Sequence, residues 1–259
     1  MVTNDMTAVH DCRKGMFWNI AATQLCLFLD VDGTLLDIAC HPETVSVEPR
    51  LRCDLAAAQR ALDGAVALVS GRPIAELDAL FAPLRLAAGG VHGAELRRRS
   101  GGAIVRQVRG CLGIEAWHAL CRLLEAFPGA YAENKAVSFA VHFAQNGTDI
   151  PRLRHALLAL IERFSSVGTP LRLVAGRAVF ELQVAGFDKG RAIETFMADA
   201  PFRGRRPVFI GDDEIDRPGF EAALAFGGFA FSVGEDLPGL SGAFAAPDAV
   251  RAWLHGFSR

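Results

Sequence analysis

The sequence predicts an α/β fold in which a parallel sheet carries polar side chains at the ends of its strands. Residues 25–29 (LCLFL) are apolar without polar alternation, which is typical of a strand buried on both faces of such a sheet. Residues 65–69 and 208–210 repeat the pattern, and polar motifs follow all three runs. Because ligands of parallel sheets bind beyond the carboxyl ends of the strands, we expect these motifs to converge.

Helical patterns fill the segments between these strands. They cover residues 51–62, 74–81 and 190–200, and the second follows Pro73, a residue favoured in a first helical turn. Alternation of strands and helices is the arrangement that produces parallel strands with crossover helices. These segments therefore predict a catalytic core made of residues 23–95 and 186–259, after an N-terminal extension of residues 1–22.

Residues 96–185 have a different pattern and predict an inserted α+β cap domain. Hairpin-like strands accompany two helical segments, 114–127 and 150–164. Two strands have one apolar and one polar face. In residues 137–143 the apolar side chains are Val137, Phe139, Val141 and Phe143, alternating with Ser138, Ala140 and His142. In residues 178–184 they are Phe180, Leu182 and Val184, alternating with Glu181 and Gln183. We expect the apolar faces to pack on the helices and the polar faces to stay open.

Composition excludes several classes of protein. A formal net charge of −2 over 259 residues argues against a broad surface for nucleic acid or an anionic membrane. The basic run Arg97-Arg98-Arg99 precedes Ser100-Gly101-Gly102, which predicts a solvated hairpin tip. No segment approaches the roughly 18 apolar residues of a membrane span. The six cysteines are scattered without metal-ligand spacing, so we expect a protein of the reducing cytoplasm. We also expect a monomer whose partner is a small molecule.

Asp30 and Asp32, just beyond the first strand, are the leading catalytic candidates. Gly33 lets the chain turn sharply after them. One ionised carboxylate can attack phosphorus while a protonated one donates to the leaving oxygen and later accepts a proton from water. Mg²⁺ prefers oxygen ligands, which Asp30, the backbone carbonyl of Asp32 and Asp212 can supply. The alternative is an ordinary turn at a strand end.

Three further motifs accompany this pair. Ser70 can donate a hydrogen bond to a phosphoryl oxygen, although such a motif is also a common turn. Lys189 opens a predicted helix and can bring a cation to an anion, or it can be solvated. Asp212, Asp213 and Asp216 would repel one another without a cation, and an N-cap role explains at most one of them.

In this order, the motifs Asp30-Val31-Asp32-Gly33-Thr34, Ser70, Lys189 and Gly211-Asp212-Asp213 resemble the haloacid dehalogenase (HAD) superfamily of phosphohydrolases. The resemblance implies a Rossmann-like core in which Asp30 forms an aspartyl-phosphate and Asp32 acts as general acid and then base. It also implies that Ser70 and Lys189 hold the phosphoryl group. The implied Mg²⁺ ligands are Asp30, Asp32, Asp212 and Asp213, and Asp213 or Asp216 would order the water molecules on the metal.

Within that superfamily the chain resembles the trehalose-6-phosphate phosphatases. The resemblance rests on Gly90-Val91-His92-Gly93-Ala94-Glu95, Glu133-Asn134-Lys135, His142 and Glu181. It implies a phosphorylated disaccharide substrate, hydrolysed to trehalose and phosphate in trehalose biosynthesis. The substrate contacts that we expect are Thr34, Arg72, His92, Glu133, Lys135, His142 and Glu181. Ala144 departs from the family pattern, which usually has arginine there, and residues 214–217 (EIDR) replace Leu-Thr-Asp-Glu.

Several alternatives stay open at this point. His92 can orient the core loop instead of binding substrate, and Glu133 with Lys135 can form a surface ion pair. The substrate can be another phosphorylated sugar, such as sucrose 6-phosphate or mannosyl-3-phosphoglycerate. A non-catalytic sugar-phosphate-binding subunit and a phosphomutase are alternatives of other classes, and the presence of both Asp30 and Asp32 argues against the former.

Overall fold

The computed structural model describes residues 20–38, 46–107, 112–135, 138–144, 147–165, 170–176 and 178–258. Residues 1–19 of the predicted N-terminal extension and Val137 of a predicted cap strand lie outside the described residues. No helix in the described ranges is long and apolar enough to cross a membrane.

Strands and helices alternate along most of the described chain. The strands are β1 (Leu25–Leu29), β2 (Val66–Val69), β3 (Ala87–Gly90), β4 (Glu95–Arg97), β5 (Val105–Arg106), β6 (Ala130–Asn134), β7 (Ser138–Phe143), β8 (Leu171–Ala175), β9 (Val179–Val184), β10 (Arg206–Gly211), β11 (Phe229–Val233) and β12 (Gly242–Phe244). The helices are α1 (Pro49–Ala61), α2 (Ile74–Leu80), α3 (Ile114–Leu124), α4 (Ile150–Ser165), α5 (Lys189–Met197), α6 (Arg217–Ala225) and α7 (Pro247–Leu254).

The larger sheet has the strand order β12-β11-β10-β1-β2-β3-β4-β5 and is parallel from β12 to β3. In its register, Leu29 of β1 is opposite Ile210 of β10 and Leu68 of β2. All side chains of β1 and β2 are buried. The predicted α/β fold is confirmed, and the carboxyl ends of β10, β1 and β2 lie side by side because these strands are parallel neighbours.

The hairpin of β4 and β5 extends the larger sheet by antiparallel pairing with β3. The prediction placed residues 96–106 in the cap. The sequence could not assign this hairpin to the larger sheet, because a hairpin pattern does not show which sheet the hairpin joins. The prediction of a solvated tip fails for Arg97, which is buried, whereas Arg98 and Arg99 are exposed as expected. Arg97 donates to the backbone carbonyl of Leu86 and, with two nitrogens, to the Asp78 carboxylate.

The second sheet, in the order β6-β7-β9-β8, is antiparallel throughout. Phe139 and Val141 of β7 pack with Phe180 and Leu182 of β9 against α3 and α4, as the alternation predicted. The opposite face is polar, but the expectation that it stays open is wrong for the part that lies against the core. Glu181, Gln183 and Ser138 are buried there, whereas the side chains of His142 and Glu133 are partly exposed.

Candidate active site

Asp30 lies at the carboxyl end of β1, buried between β10 and β2. Its backbone N–H donates to the Ile210 carbonyl at 3.0 Å. Lys189 Nζ lies 2.6 Å from Asp30 Oδ1 and 2.5 Å from Asp216 Oδ1, and all three side chains are buried. The structure therefore brings together Asp30 and Lys189, which are 159 residues apart in the sequence.

Lys189 reaches this position because α5 begins there and approaches α6 closely. The Asp188 side chain caps α5 by accepting from the Arg191 N–H. A Cβ on Gly190 would stand 2.4 Å from the Pro218 carbonyl oxygen, so only glycine permits this approach. The contact places the first residue of α5 beside Asp216, which immediately precedes α6.

Burial and charge act in opposite directions on this pair. Burial raises the pKa of Asp30 well above its ordinary value, and the Asp216 and Asp212 carboxylates act in the same direction against the opposing effect of Lys189. Burial disfavours the Lys189 ammonium, but the Asp216 and Asp30 carboxylates outweigh it, so the Lys189 pKa lies above its ordinary value. The charged form of Lys189 is therefore favoured, and a further positive charge beside Asp30 would favour its ionisation.

The described residues contain one cluster that could hold a metal ion. It consists of Asp30, Asp212 and Asp216, whose ligand oxygens lie within 4.8 Å of one another. This donor set of carboxylate oxygens fits Mg²⁺. Gly33, at φ +83°, leaves room for the Asp212 carboxylate, since a Cβ on residue 33 would stand 2.1 Å from an Asp212 oxygen. The Asp216 carboxylate already has hydrogen-bond partners within the protein. It accepts from Lys189 and from the N–H groups of Asp212 and Asp213.

The side chains of Asp32 and Asp213, predicted as metal ligands, lie outside this cluster. Asp213 instead caps the short helix that follows it, because its Oδ1 accepts from the Glu214 N–H at 2.6 Å. Asp32 is turned towards Arg72, which donates to it with two nitrogens at 2.7 and 2.8 Å. Asp216 was predicted only to order water and instead joins the carboxylate cluster.

Ser70 and Arg72 follow β2 and are held by the loop after β3. The Arg72 N–H donates to Ser70 Oγ, while the carbonyls of Ser70 and Arg72 accept from the N–H groups of His92 and Val91. The Glu95 carboxylate accepts from the Ile74 N–H at the start of α2. The two loops therefore form one hydrogen-bonded unit that fixes the Arg72 guanidinium on Asp32.

Thr34 is fully buried, and its hydroxyl has no hydrogen-bond partner in the described part of the chain. A buried hydroxyl without a partner costs about 1–3 kcal/mol. The site residues thus include a polar atom whose bonding is incomplete in the protein alone.

The polar face of the cap sheet carries the predicted sugar contacts. His142 Nε2 lies 3.0 Å from Glu133 Oε2, and Lys135 Nζ lies 2.9 Å from Glu181 Oε1. The hydrogen bond with His142 is the main cause that holds the pKa of Glu133 below its ordinary value. Electrostatic interactions link Lys135 to Asp32 and Glu133 to Arg72. This face therefore lies over the turn of residues 30–34 that follows β1, called the catalytic turn below.

His92 contacts the cap directly. Its Nε2 lies 2.5 Å from Glu181 Oε2, with both side chains buried, and a Cβ on Gly71 would clash with the His92 ring. Burial alone would raise the Glu181 pKa, but His92 and Lys135 outweigh it and hold this pKa well below its ordinary value. His92 and Val91 both have positive φ, a conformation that is strained for a β-branched residue such as valine. The alternative that His92 organises a loop thus gains support from its geometry.

Gln183, Arg172 and Tyr131 also lie on this face, although the sequence did not identify any of them as a candidate site residue. Gln183 donates to Glu181 and accepts from Arg172, which also donates to the Phe187 carbonyl. The available signal was alternation, of Gln183 with Glu181 and of Tyr131 with Glu133, whereas Arg172 joins them only as the cross-strand partner of Gln183. Of the cysteines, Cys26 is buried, whereas Cys53 and Cys121 are exposed.

Comparisons with known proteins give a consistent result. Residues 28–234 match the family model described as trehalose-phosphatase. Trehalose-6-phosphate phosphatase of Escherichia coli is 37% identical over 227 residues, which cover 88% of this chain and 84% of that protein. The probable trehalose-phosphate phosphatase of Sinorhizobium fredii is 33% identical over 225 residues, covering 86% and 83%.

Solved structures share the fold. A protein related to trehalose-6-phosphate phosphatase superposes with a TM-score of 0.72 at 25% identity, over 90% of this chain and 96% of that one. A phosphatase of the HAD superfamily from Bacteroides thetaiotaomicron has a TM-score of 0.61 at 17% identity, over 95% and 99%. At that identity the second match shows the fold alone.

Proposed function

This chain belongs to the trehalose-phosphatase family, and we propose that it hydrolyses trehalose 6-phosphate to trehalose and phosphate through an aspartyl-phosphate on Asp30. The observation that carries the mechanism is the buried contact of Asp30 with Lys189, together with the pairing of Asp32, two residues further along the chain, with Arg72. A carboxylate beside a fixed cation suits attack on an anionic phosphoryl group.

In the first step, an Asp30 oxygen forms a bond to phosphorus while the bond from phosphorus to the sugar oxygen breaks. Asp32, which enters this step protonated and is positioned by Arg72, donates its proton to that oxygen, so trehalose leaves neutral. In the second step, Asp32 takes a proton from water as the water oxygen attacks phosphorus, which releases phosphate and restores Asp30. Lys189 and Ser70 hold the phosphoryl oxygens in both steps.

We propose Mg²⁺ as the cofactor, with Asp30, Asp212 and the backbone carbonyl of Asp32 as its protein ligands. When bound, the ion would neutralise phosphoryl charge and keep Asp30 ionised. The carboxylate of Asp216 instead holds Lys189. Chelation with EDTA should abolish phosphate release and added Mg²⁺ should restore it, whereas activity that survives full chelation would exclude the metal.

The proposal extends to the localisation and assembly of the protein. We propose a monomeric cytoplasmic enzyme of two domains, a catalytic core and a cap. The free thiols of Cys53 and Cys121, which are exposed, suit a reducing compartment. Glu133, Lys135 and His142 supply the donors and acceptors that sugar hydroxyls need.

A substrate screen tests the proposal. Phosphate release from trehalose 6-phosphate is compared with release from sucrose 6-phosphate, mannosyl-3-phosphoglycerate and glucose 6-phosphate, with the Asp30→Asn variant as the blank. We expect the highest kcat/KM for trehalose 6-phosphate. A clear preference for another sugar would exclude the proposed substrate, and binding without any release would indicate a non-catalytic subunit.

A further inference from the structure

Tyr131 is the single tyrosine of the chain and lies on the polar face of the cap sheet, opposite His142. The two rings stack with their centroids 4.9 Å apart and an interplanar angle of 19°. Although Glu181 and Gln183 on this face are buried, Tyr131 is 49% exposed. The face that covers the catalytic turn thus carries an aromatic ring with much of its surface uncovered.

Exposure increases along this edge of the cap, away from the catalytic turn. Lys135, Glu133 and Tyr131 alternate on one side of β6 and its continuation. The side chains of Lys135 and Glu133 are 11% and 33% exposed, whereas Tyr131, taken as a whole residue, is 49% exposed. Residues two apart in a strand are about 7 Å apart, so Tyr131 lies about 14 Å along the strand from Lys135, the residue that interacts with Asp32.

Neighbouring residues hold the Tyr131 ring, and among the described residues the next cross-strand pair outward from it carries no large side chain. Glu133 contacts His142, which stacks on one face of Tyr131 and thereby fixes its orientation. In the next cross-strand position outward, the Ala144 N–H donates to the Gly129 carbonyl. Neither of these two residues has a side chain beyond Cβ.

We propose that Tyr131, braced by His142, is the stacking platform for the unphosphorylated glucosyl ring of trehalose 6-phosphate. The inference rests on the proposed function and adds a determinant of disaccharide preference. A pyranose ring presents C–H groups on its faces and hydroxyls at its edge. An aromatic ring covers such a face, while Glu133 and His142 reach the hydroxyls.

Fluorine NMR gives a direct test, because fluorotyrosine incorporation labels Tyr131 alone. In the Asp30→Asn variant, which prevents turnover, we expect trehalose 6-phosphate to shift the single resonance in a saturable way. Glucose 6-phosphate lacks the second ring and should shift it far less. Calorimetric binding of trehalose 6-phosphate without any change in the resonance would overturn the proposal.

Kinetics supply the second readout. We expect Tyr131→Ala to raise KM for trehalose 6-phosphate about tenfold while kcat falls less than twofold. Tyr131→Phe should restore the lower KM. Leu158→Ala, which alters an exposed side chain on α4, is the matched control and should not change either constant.

Three results distinguish failure of this inference from failure of the proposed function. If the wild-type chain hydrolyses trehalose 6-phosphate but Tyr131→Ala keeps its KM, only the platform is wrong. A loss for p-nitrophenyl phosphate as large as that for trehalose 6-phosphate would also overturn the platform, because this substrate has no second sugar. A wild-type chain inactive on trehalose 6-phosphate contradicts both.

Discussion

The Lys189 ammonium is the one group that separates the buried carboxylates of Asp30 and Asp216 in the described site. Lys189→Met would leave these carboxylates facing each other. We therefore expect the free energy of unfolding to fall by about 3–5 kcal/mol, the usual effect of breaking a buried ion pair. Urea unfolding and phosphate release measure the two effects, and activity should fall at least about a hundredfold.

The double variant Lys189→Met/Asp216→Asn is the matched control for Lys189. It removes one of the two buried carboxylate charges that Lys189→Met leaves unpaired, so part of the lost stability should return while activity stays low. Recovery of activity together with stability would show that Lys189 acts only on the fold.

Arg72 binds Asp32 with two nitrogens, which a lysine cannot reproduce. Arg72→Lys should lower kcat by about ten- to a hundredfold with a smaller change in KM, because Asp32 loses its fixed orientation for proton transfer. Glu76→Gln alters the exposed partner of Arg72 and should leave kcat within about twofold. Equal effects of the two substitutions on steady-state kinetics would contradict the orienting role.

At this scale the sequence predicts the positions of catalytic groups better than their partners. Asp30 and Ser70 were predictable because apolar strands end directly before them. The pairing of Arg72 with Asp32 was not, since it depends on how two loops meet after folding. The same holds for Asp216, whose carboxylate reaches Lys189 because Gly190 allows two helices to approach.

The hairpin of β4 and β5 is anchored to the core by Arg97 and Asp78. Hydrogen bonds from Arg97 outweigh the burial of Asp78 and hold its pKa below the ordinary value. Asp78→Asn should lower the free energy of unfolding at neutral pH by about 1.5–3 kcal/mol. Asp199→Asn, which affects the exposed ion pair with Arg98, should change it by less than about 1 kcal/mol.

The effect of Asp78 has a defined pH dependence. A carboxylate with a lowered pKa stabilises the folded state above its unfolded pKa, and this stabilisation disappears as pH falls through the folded pKa. The difference between wild type and Asp78→Asn should therefore be constant from pH 7 to about 5 and shrink towards pH 3. A difference that grows in acid would contradict the assignment.

At the scale of elements, periodicity located the helices and most strands within a few residues. It did not assign β4 and β5 to a sheet, because a short hairpin has the same pattern on the edge of either one. Alternation also predicted which cap face is polar. Whether that face meets water or the core depends on the packing of the cap, which alternation does not encode.

His92 of the core contacts Glu181 of the cap, beside the hydrogen bond from Arg172 to the Phe187 carbonyl. The exposed thiols of Cys53 on α1 and Cys121 on α3 allow a spin label on each side. Burial raises the pKa of Cys26 to about 12, so that thiol should escape labelling, and serine would replace Cys12, Cys40 and Cys111. Double electron–electron resonance should give a broader distribution of distances between the labels in His92→Ala.

His155→Ala is the matched control, since it alters an exposed histidine on α4. Its distance distribution should equal that of the labelled parent protein. If His92→Ala also leaves the distribution unchanged, the contact with Glu181 does not hold the cap on the core.

In the mechanism proposed for the whole molecule, the phosphoryl group of the substrate is transferred to Asp30 before water releases it as phosphate. Rapid acid quenching during turnover of radioactively labelled trehalose 6-phosphate, followed by borohydride reduction, converts an aspartyl-phosphate into homoserine that peptide mapping can locate. Asp32→Asn lacks both the acid of the first step and the base of the second, so it should form this species more slowly and then retain it. We predict homoserine at position 30 in both proteins, and its absence at that position in both, while the wild type turns over, would contradict the account.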